Sequence, residues 1–163
     1  MSKKITYTFG DAELLDRIQP MWEGLNCHHA AVSPHFESDF QTYQFAERKT
    51  KLLKKYAAGQ MRIDIAQFED ELIGYIISAI THEGEGEIES IYVTENFRGL
   101  KIGAEFMCRA IAWLDDNDID TKTIAVAGGN ERVYPFYARF GFYPRVTMLK
   151  QINNERRITY EST

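Results

Sequence analysis

"IESIYVTENFRGLKIGAEFM", residues 88–107, changes its periodicity part-way along. The first six residues read as a strand. From Lys101 onward the apolar positions Ile102, Phe106, Ala110, Ile111 and Leu114 recur at helical spacing, so a helix follows. Arg98, Gly99, Lys101 and Gly103 stand at the changeover. The first turn of a helix offers unpaired N–H groups and about half a positive charge, which suits a phosphate. Glycines at such a place also serve as plain punctuation, for a turn and for close helix packing. Both readings stay open on this stretch alone.

The common phosphate loops do not fit. A P-loop needs Gly-Lys-Ser/Thr, whereas Gly103 is followed by Ala104, and the Gly-x-Gly-x-x-Gly dinucleotide fingerprint is not formed by Gly99 and Gly103.

Working outward, "KITYTFG" reads as a first strand, and Asp11 is the expected N-cap of a helix through Leu14, Leu15, Ile18, Trp22 and Leu25, with Pro20 a bend or break. "NCHHAAVSPHFES" is expected to be a connecting loop, and a longer helix should cover about residues 39–58. "MRIDIAQFED" and "ELIGYIISAITHE" flank an acidic turn and form an antiparallel pair, with "GEIESIYVTE" the fourth strand. After the helix come a short strand "TKTIAVAGG", a helix "NERVYPFYARF", a strand "GFYPRVTMLKQI" and a last strand in "RRITYE". The order β-α-α-β-β-β-α-β-α-β implies an α/β (mixed α+β) fold: a twisted mixed sheet of six to seven strands with helices on both faces. No repeat or linker divides the chain, so residues 1–163 are expected to form one domain.

The composition narrows the function classes. A net charge of −5 argues against nucleic-acid binding, and no apolar run approaches the ~20 residues of a membrane span. The amino terminus turns polar at once, so a cytoplasmic location is expected. Cys27 and Cys108 have no CxxC partner and read as reduced thiols. His28 and His29 lack a paired ligand cluster, so no metal site is expected.

With these elements in place, the sequence resembles the GNAT family of acetyl-CoA-dependent N-acetyltransferases. Arg98, Gly103 and Ala104 match the family's Arg/Gln-x-x-Gly-x-Gly/Ala motif, with Lys101 in place of the first glycine. Asn130, Tyr137, Gly141 and Phe142 match Asn-x-x-Ala-x-x-x-Tyr-x-x-x-Gly-Phe, with Val133 for alanine. The resemblance implies that backbone groups of Ile91, Tyr92 and Val93 bond the pantetheine arm and thioester. It implies that N–H groups of Arg98, Gly99, Leu100, Lys101, Ile102, Gly103 and Ala104 cradle the diphosphate, while Asn130 holds the arm from the other side. A lysine replacing glycine at 101 should take right-handed or extended angles.

Acetyl transfer to an amine requires a neutral nucleophile, yet an alkyl ammonium has a pKa of ~10.4, so a proton acceptor is needed, directly or through water. Glu87 and Glu89 lie two apart on one strand and share a face. Glu89 stands where the resemblance places the glutamate of spermidine/spermine acetyltransferases. It is the first choice for the base and Glu87 the second, with Glu87 otherwise a carboxylate for the substrate. Both are also readable as solvated members of an acidic run. Tyr137 is the implied acid for the leaving thiolate. The loop between the first helices roofs the acceptor site in this family, which nominates His29 and Phe36 as substrate contacts. The clustered glutamates favour a small cationic amine, taken with acetyl-CoA in a ternary complex. The alternative class is a non-catalytic acyl-CoA-binding sensor or regulatory domain. Similar proteins are often dimers, so the resemblance allows a homodimer.

Overall fold

Residues 4–152 are described by the structure, a computed structural model. Five strands lie in the order of the chain: β1 (Ile5–Gly10), β2 (Gln60–Phe68), β3 (Glu71–Ile80), β4 (Gly86–Val93) and β5 (Lys122–Ile124). The first four are antiparallel neighbours, and β5 joins β4 in parallel. A parallel pair needs a crossover, and α4 (Ile102–Asp116) provides it.

The sheet separates two apolar layers. On one face Ile63, Ile65, Tyr75 and Ile77 pack against Leu15, Ile18 and Trp22 of α1 (Leu15–Val32) and Phe45 and Leu52 of α3 (Phe45–Lys55). On the other, Ile73, Ile76 and Ile88 meet Ile102, Phe106, Met107 and Leu114 of α4, with Phe136 and Tyr137 of the short α5 (Tyr134–Ala138) at the margin.

Several expectations change in the structure. The stretch expected to loop after Leu25 continues α1 as far as Val32, because Ala30 is buried and the Ser33 N–H closes the helix on the His29 carbonyl. Pro20 sits inside α1, where the buried stripe outweighs its missing N–H. The single helix expected over 39–58 is two, α2 (Glu37–Thr42) and α3. Asn26 Nδ2 donates to the carbonyls of Phe40 and Tyr43, taking acceptors that a continuous helix would have used. Among the described residues the sheet has five strands, where six to seven were expected. Residues 142–152 pair with no strand: β5 is only three residues long, Pro144 lacks an N–H, and Val146, Met148 and Leu149 stay exposed. The strand expected in "RRITYE" lies outside the described residues.

Candidate functional site

The site begins at an irregularity in β4. Ile77 faces Ser90, but its neighbour Ser78 faces Ile88, so Glu89 is an extra residue, a β-bulge. The alternation therefore changes phase: Ile88 before the bulge and Ile91 and Val93 after it all lie on the α4 side. Pairing with β5 stops here as well, after Gly86↔Lys122, Glu87↔Thr123 and Ile88↔Ile124. Beyond that point β4 and residues 125–127 line a cleft of about 470 Å³.

One end of the cleft is the turn into α4. Gly99 (φ 82°) and Lys101 (φ 64°) are both left-handed, an alternation that turns successive N–H groups toward one side. Lys101 is the N-cap of α4, and no side chain caps it. The first-turn N–H groups are thus unclaimed by side chains and suit an anion. The right-handed or extended backbone expected for Lys101 is corrected: the turn demands the conformation that glycine adopts freely, and a lysine bears ~1–2 kcal/mol of strain there. The two glycines act differently. A Cβ at Gly99 would meet nothing, so its φ is its reason, whereas a Cβ at Gly103 would come 3.3 Å from Phe136 Cζ, so Gly103 lets α5 approach α4. Arg98 Nε donates to the Val93 carbonyl at 3.1 Å, tying the turn to the end of β4.

Of the residues predicted for the site, Glu89, Ile91, Tyr92, Val93, Arg98, Gly99, Lys101, Ile102, Gly103, Ala104, Asn130, Tyr137 and His29 all line this cleft. Leu100 is 56% exposed and does not line the cleft, Phe36 lies beneath Lys150, and Glu87 sits beside Glu89 outside the cleft lining. His28, which the sequence did not single out as a ligand contact, lines the cleft, and its Nε2 lies 3.2 Å from Asn130 Oδ1, orienting that buried amide. Burial, and then His28, lower the His29 pKa to about 4, so its ring is neutral at pH 7. Burial pushes the Tyr137 phenol up to about 12, so it keeps its proton at pH 7.

The Glu89 carboxylate is fully engaged. Arg48 Nη2 donates to its Oε2 at 2.8 Å and to its backbone carbonyl at 3.2 Å. Lys55 Nζ is 2.8 Å from its Oε1, and the Tyr56 hydroxyl donates to the same oxygen. Burial alone would raise the carboxyl, but the hydrogen bonds from Lys55 and Tyr56 and the charge of Arg48 outweigh it and hold Glu89 down to about 2. Arg48 and Lys55 were not foreseen: seven residues apart on α3, they share a helix face, yet nothing local names their partner.

The chain matches the Acetyltransferase (GNAT) family over residues 26–142 and belongs to that family. Solved structures share the fold. A GCN5-related N-acetyltransferase from Ralstonia eutropha is 19% identical with a TM-score of 0.72, covering 91% of this chain and 99% of its own. The PaiA N-acetyltransferase of Thermoplasma acidophilum, in complex with coenzyme A, is 20% identical with a TM-score of 0.71, covering 89% of this chain and 93% of its own. The aminoglycoside N-acetyltransferase AAC(6')-Iy, also with CoA, is 16% identical with a TM-score of 0.61, over 93% and 97% of the two chains. No curated protein matches. Among the described residues no helix is long and apolar enough to cross a membrane, and no group of three or more His, Cys, Asp or Glu side chains could hold a metal ion.

Proposed function

We propose that the protein transfers an acetyl group from acetyl-CoA to a primary amine by direct attack in a ternary complex. The observation that carries this reading is that one cleft joins the anion-suited turn at Arg98–Ala104 to Tyr137 and Glu89. The turn would hold the diphosphate, and the free edge of β4 beyond the bulge would hold the pantetheine arm. The amine nitrogen attacks the thioester carbonyl, a C–N bond forms and the C–S bond breaks. Tyr137 would give its proton to the thiolate, and the amine's own proton would leave through water.

The hydrogen bonds from Lys55 and Tyr56 and the charge of Arg48, which hold the Glu89 carboxyl well below the usual carboxylate range, make it a weak proton acceptor for an ammonium at ~10.4 and support a role in attracting and orienting the amine as a carboxylate.

A second reading, an acyl-CoA-binding sensor without turnover, is favoured by that same engagement of Glu89. Thiol release from acetyl-CoA with a panel of primary amines separates the two. Amine-dependent release supports the enzyme; calorimetric binding of acetyl-CoA with no release by any amine supports the sensor.

A further inference from the structure

Asn130 is held at every polar group but one. Its backbone N–H donates to the Ala127 carbonyl at 3.0 Å, and its carbonyl accepts from the Val133 N–H at 3.2 Å. Gly129 beside it, left-handed at φ 96°, lets this loop abut the end of α1, since a Cβ there would come 2.1 Å from the Val32 carbonyl oxygen. The Gly129 N–H donates to Glu131 Oε1 at 2.8 Å and pins the loop further. The same abutment brings up His28, one helical turn before Val32, with its Nε2 3.2 Å from Asn130 Oδ1. An amide oxygen only accepts, so Nε2 carries the proton and donates. The remaining group is Nδ2. Its two N–H donors meet no acceptor among the described residues, and Asn130, only 8% exposed, lines the cleft opposite Ile91, Tyr92 and Val93.

We infer that His28 is a positioning residue for the acyl donor: it fixes the Asn130 amide with its N–H donors toward the cleft, where they meet a carbonyl oxygen of the acetyl-CoA arm. The amide torsion of an asparagine is broad and roughly two-fold, so the side chain alone does not choose which end faces inward. Turned over, it would present its own oxygen to that carbonyl, acceptor against acceptor. The His28 donor removes the choice, because only Oδ1 can receive it. A residue of α1 thereby sets the grip on a ligand bound between β4 and the loop after β5. This rests on acetyl-CoA lying in the cleft and needs no turnover.

The test is calorimetric titration of acetyl-CoA, and of adenosine 3′-phosphate 5′-diphosphate, which lacks the arm, into the intact chain and its variants. His28→Leu should bind acetyl-CoA about five- to tenfold more weakly and the armless nucleotide as the parent does, while His28→Gln, whose amide can still donate, should stay within about twofold of the parent. In an Asn130→Ala background, His28→Leu should add less than about twofold, because the two residues act as one unit. An equal loss for both ligands, a His28→Leu penalty that persists in Asn130→Ala, or His28→Gln as weak as His28→Leu overturns the inference. His28→Ala, with folding confirmed by circular dichroism, repeats the test if the leucine variant does not fold. Thiol release separates this from the catalytic reading. Turnover with no response to His28→Leu removes the positioning role and leaves acetyl transfer standing; the full binding pattern without thiol release by any amine does the reverse, and a parent that does not bind acetyl-CoA overturns both.

Discussion

Arg48 grips Glu89 at two points, its carboxylate and its own backbone carbonyl, so one guanidinium holds both the charge and the bulge on which that charge sits. Charge-assisted bonds of this kind are roughly twice as strong as neutral ones. The grip couples α3 to the place where β4 leaves β5.

Arg48→Gln is expected to lower stability at pH 7 by about 2 kcal/mol, less than the ~3–5 kcal/mol of a fully buried pair because Lys55 still faces Glu89. The pH dependence follows from the depressed carboxyl. Its contribution is present above its ordinary value of 4.5 and is lost as pH falls toward about 2. The difference between parent and variant should therefore shrink across that window. Urea unfolding at pH 7 and pH 3.5 measures it, and a difference that grows on acidification would contradict the assignment.

The pH–rate profile reports on the proton's route. With Glu89 held near 2, kcat/KM should climb with pH toward the pKa of the amine and show no limb between pH 4 and 6. Glu89→Gln should lower kcat/KM by ~10–10²-fold while keeping the same limb, because the carboxylate attracts the amine rather than taking its proton. A parent limb near pH 5 that vanishes in Glu89→Gln would make Glu89 the base.

Tyr137→Phe removes a hydroxyl and keeps a ring that packs on Phe136 at 5.3 Å between centroids. Acetyl-CoA affinity by calorimetry should be unchanged and kcat about 10²-fold lower, as for a lost general acid. Unaltered turnover would leave Tyr137 with packing alone.

Lys101→Gly should relieve left-handed strain, offset in part by the greater freedom of glycine in the unfolded chain, for a net gain of ~0.5–1 kcal/mol. For a chain of this size that is a rise in Tm of ~1–3 °C, read by thermal melting. Acetyl-CoA binding should weaken only slightly, and less so at high salt, because an exposed charge on a phosphate contributes ~0–1 kcal/mol.

The strand–turn–helix from Ile88 to Met107 and the helix bearing Tyr137 were legible because each is a local pattern: alternation, a glycine turn, then helical period. The pairing of Glu87 and Glu89 on one side was legible for the same reason, and both meet Lys55. What Glu89 meets was not, since Arg48 and Lys55 lie 41 and 34 positions away in sequence and only packing of α3 on the sheet brings them near. The bulge was hidden because an extra residue leaves a run such as Ile-Glu-Ser-Ile-Tyr-Val looking like ordinary strand. The reach of α1 to Val32 was masked by Asn26, His28 and His29, whose side chains turn to the carbonyls of Phe40 and Tyr43 or to the cleft.

The three-residue seam between β4 and β5 also bears on how the molecule assembles. Strands β1 to β4 join neighbours in antiparallel register, and β2, β3 and β4 follow one another through short turns, so those contacts are close in sequence. The β4–β5 pairing instead spans the crossover through α4 and rests on three residue pairs. Hydrogen exchange should accordingly find Lys122–Ile124 opening well below the free energy of global unfolding, and ligand in the cleft should slow exchange there before it slows it in β2 or β3. The seam at one side of the cleft is thus expected to open before the antiparallel strands do.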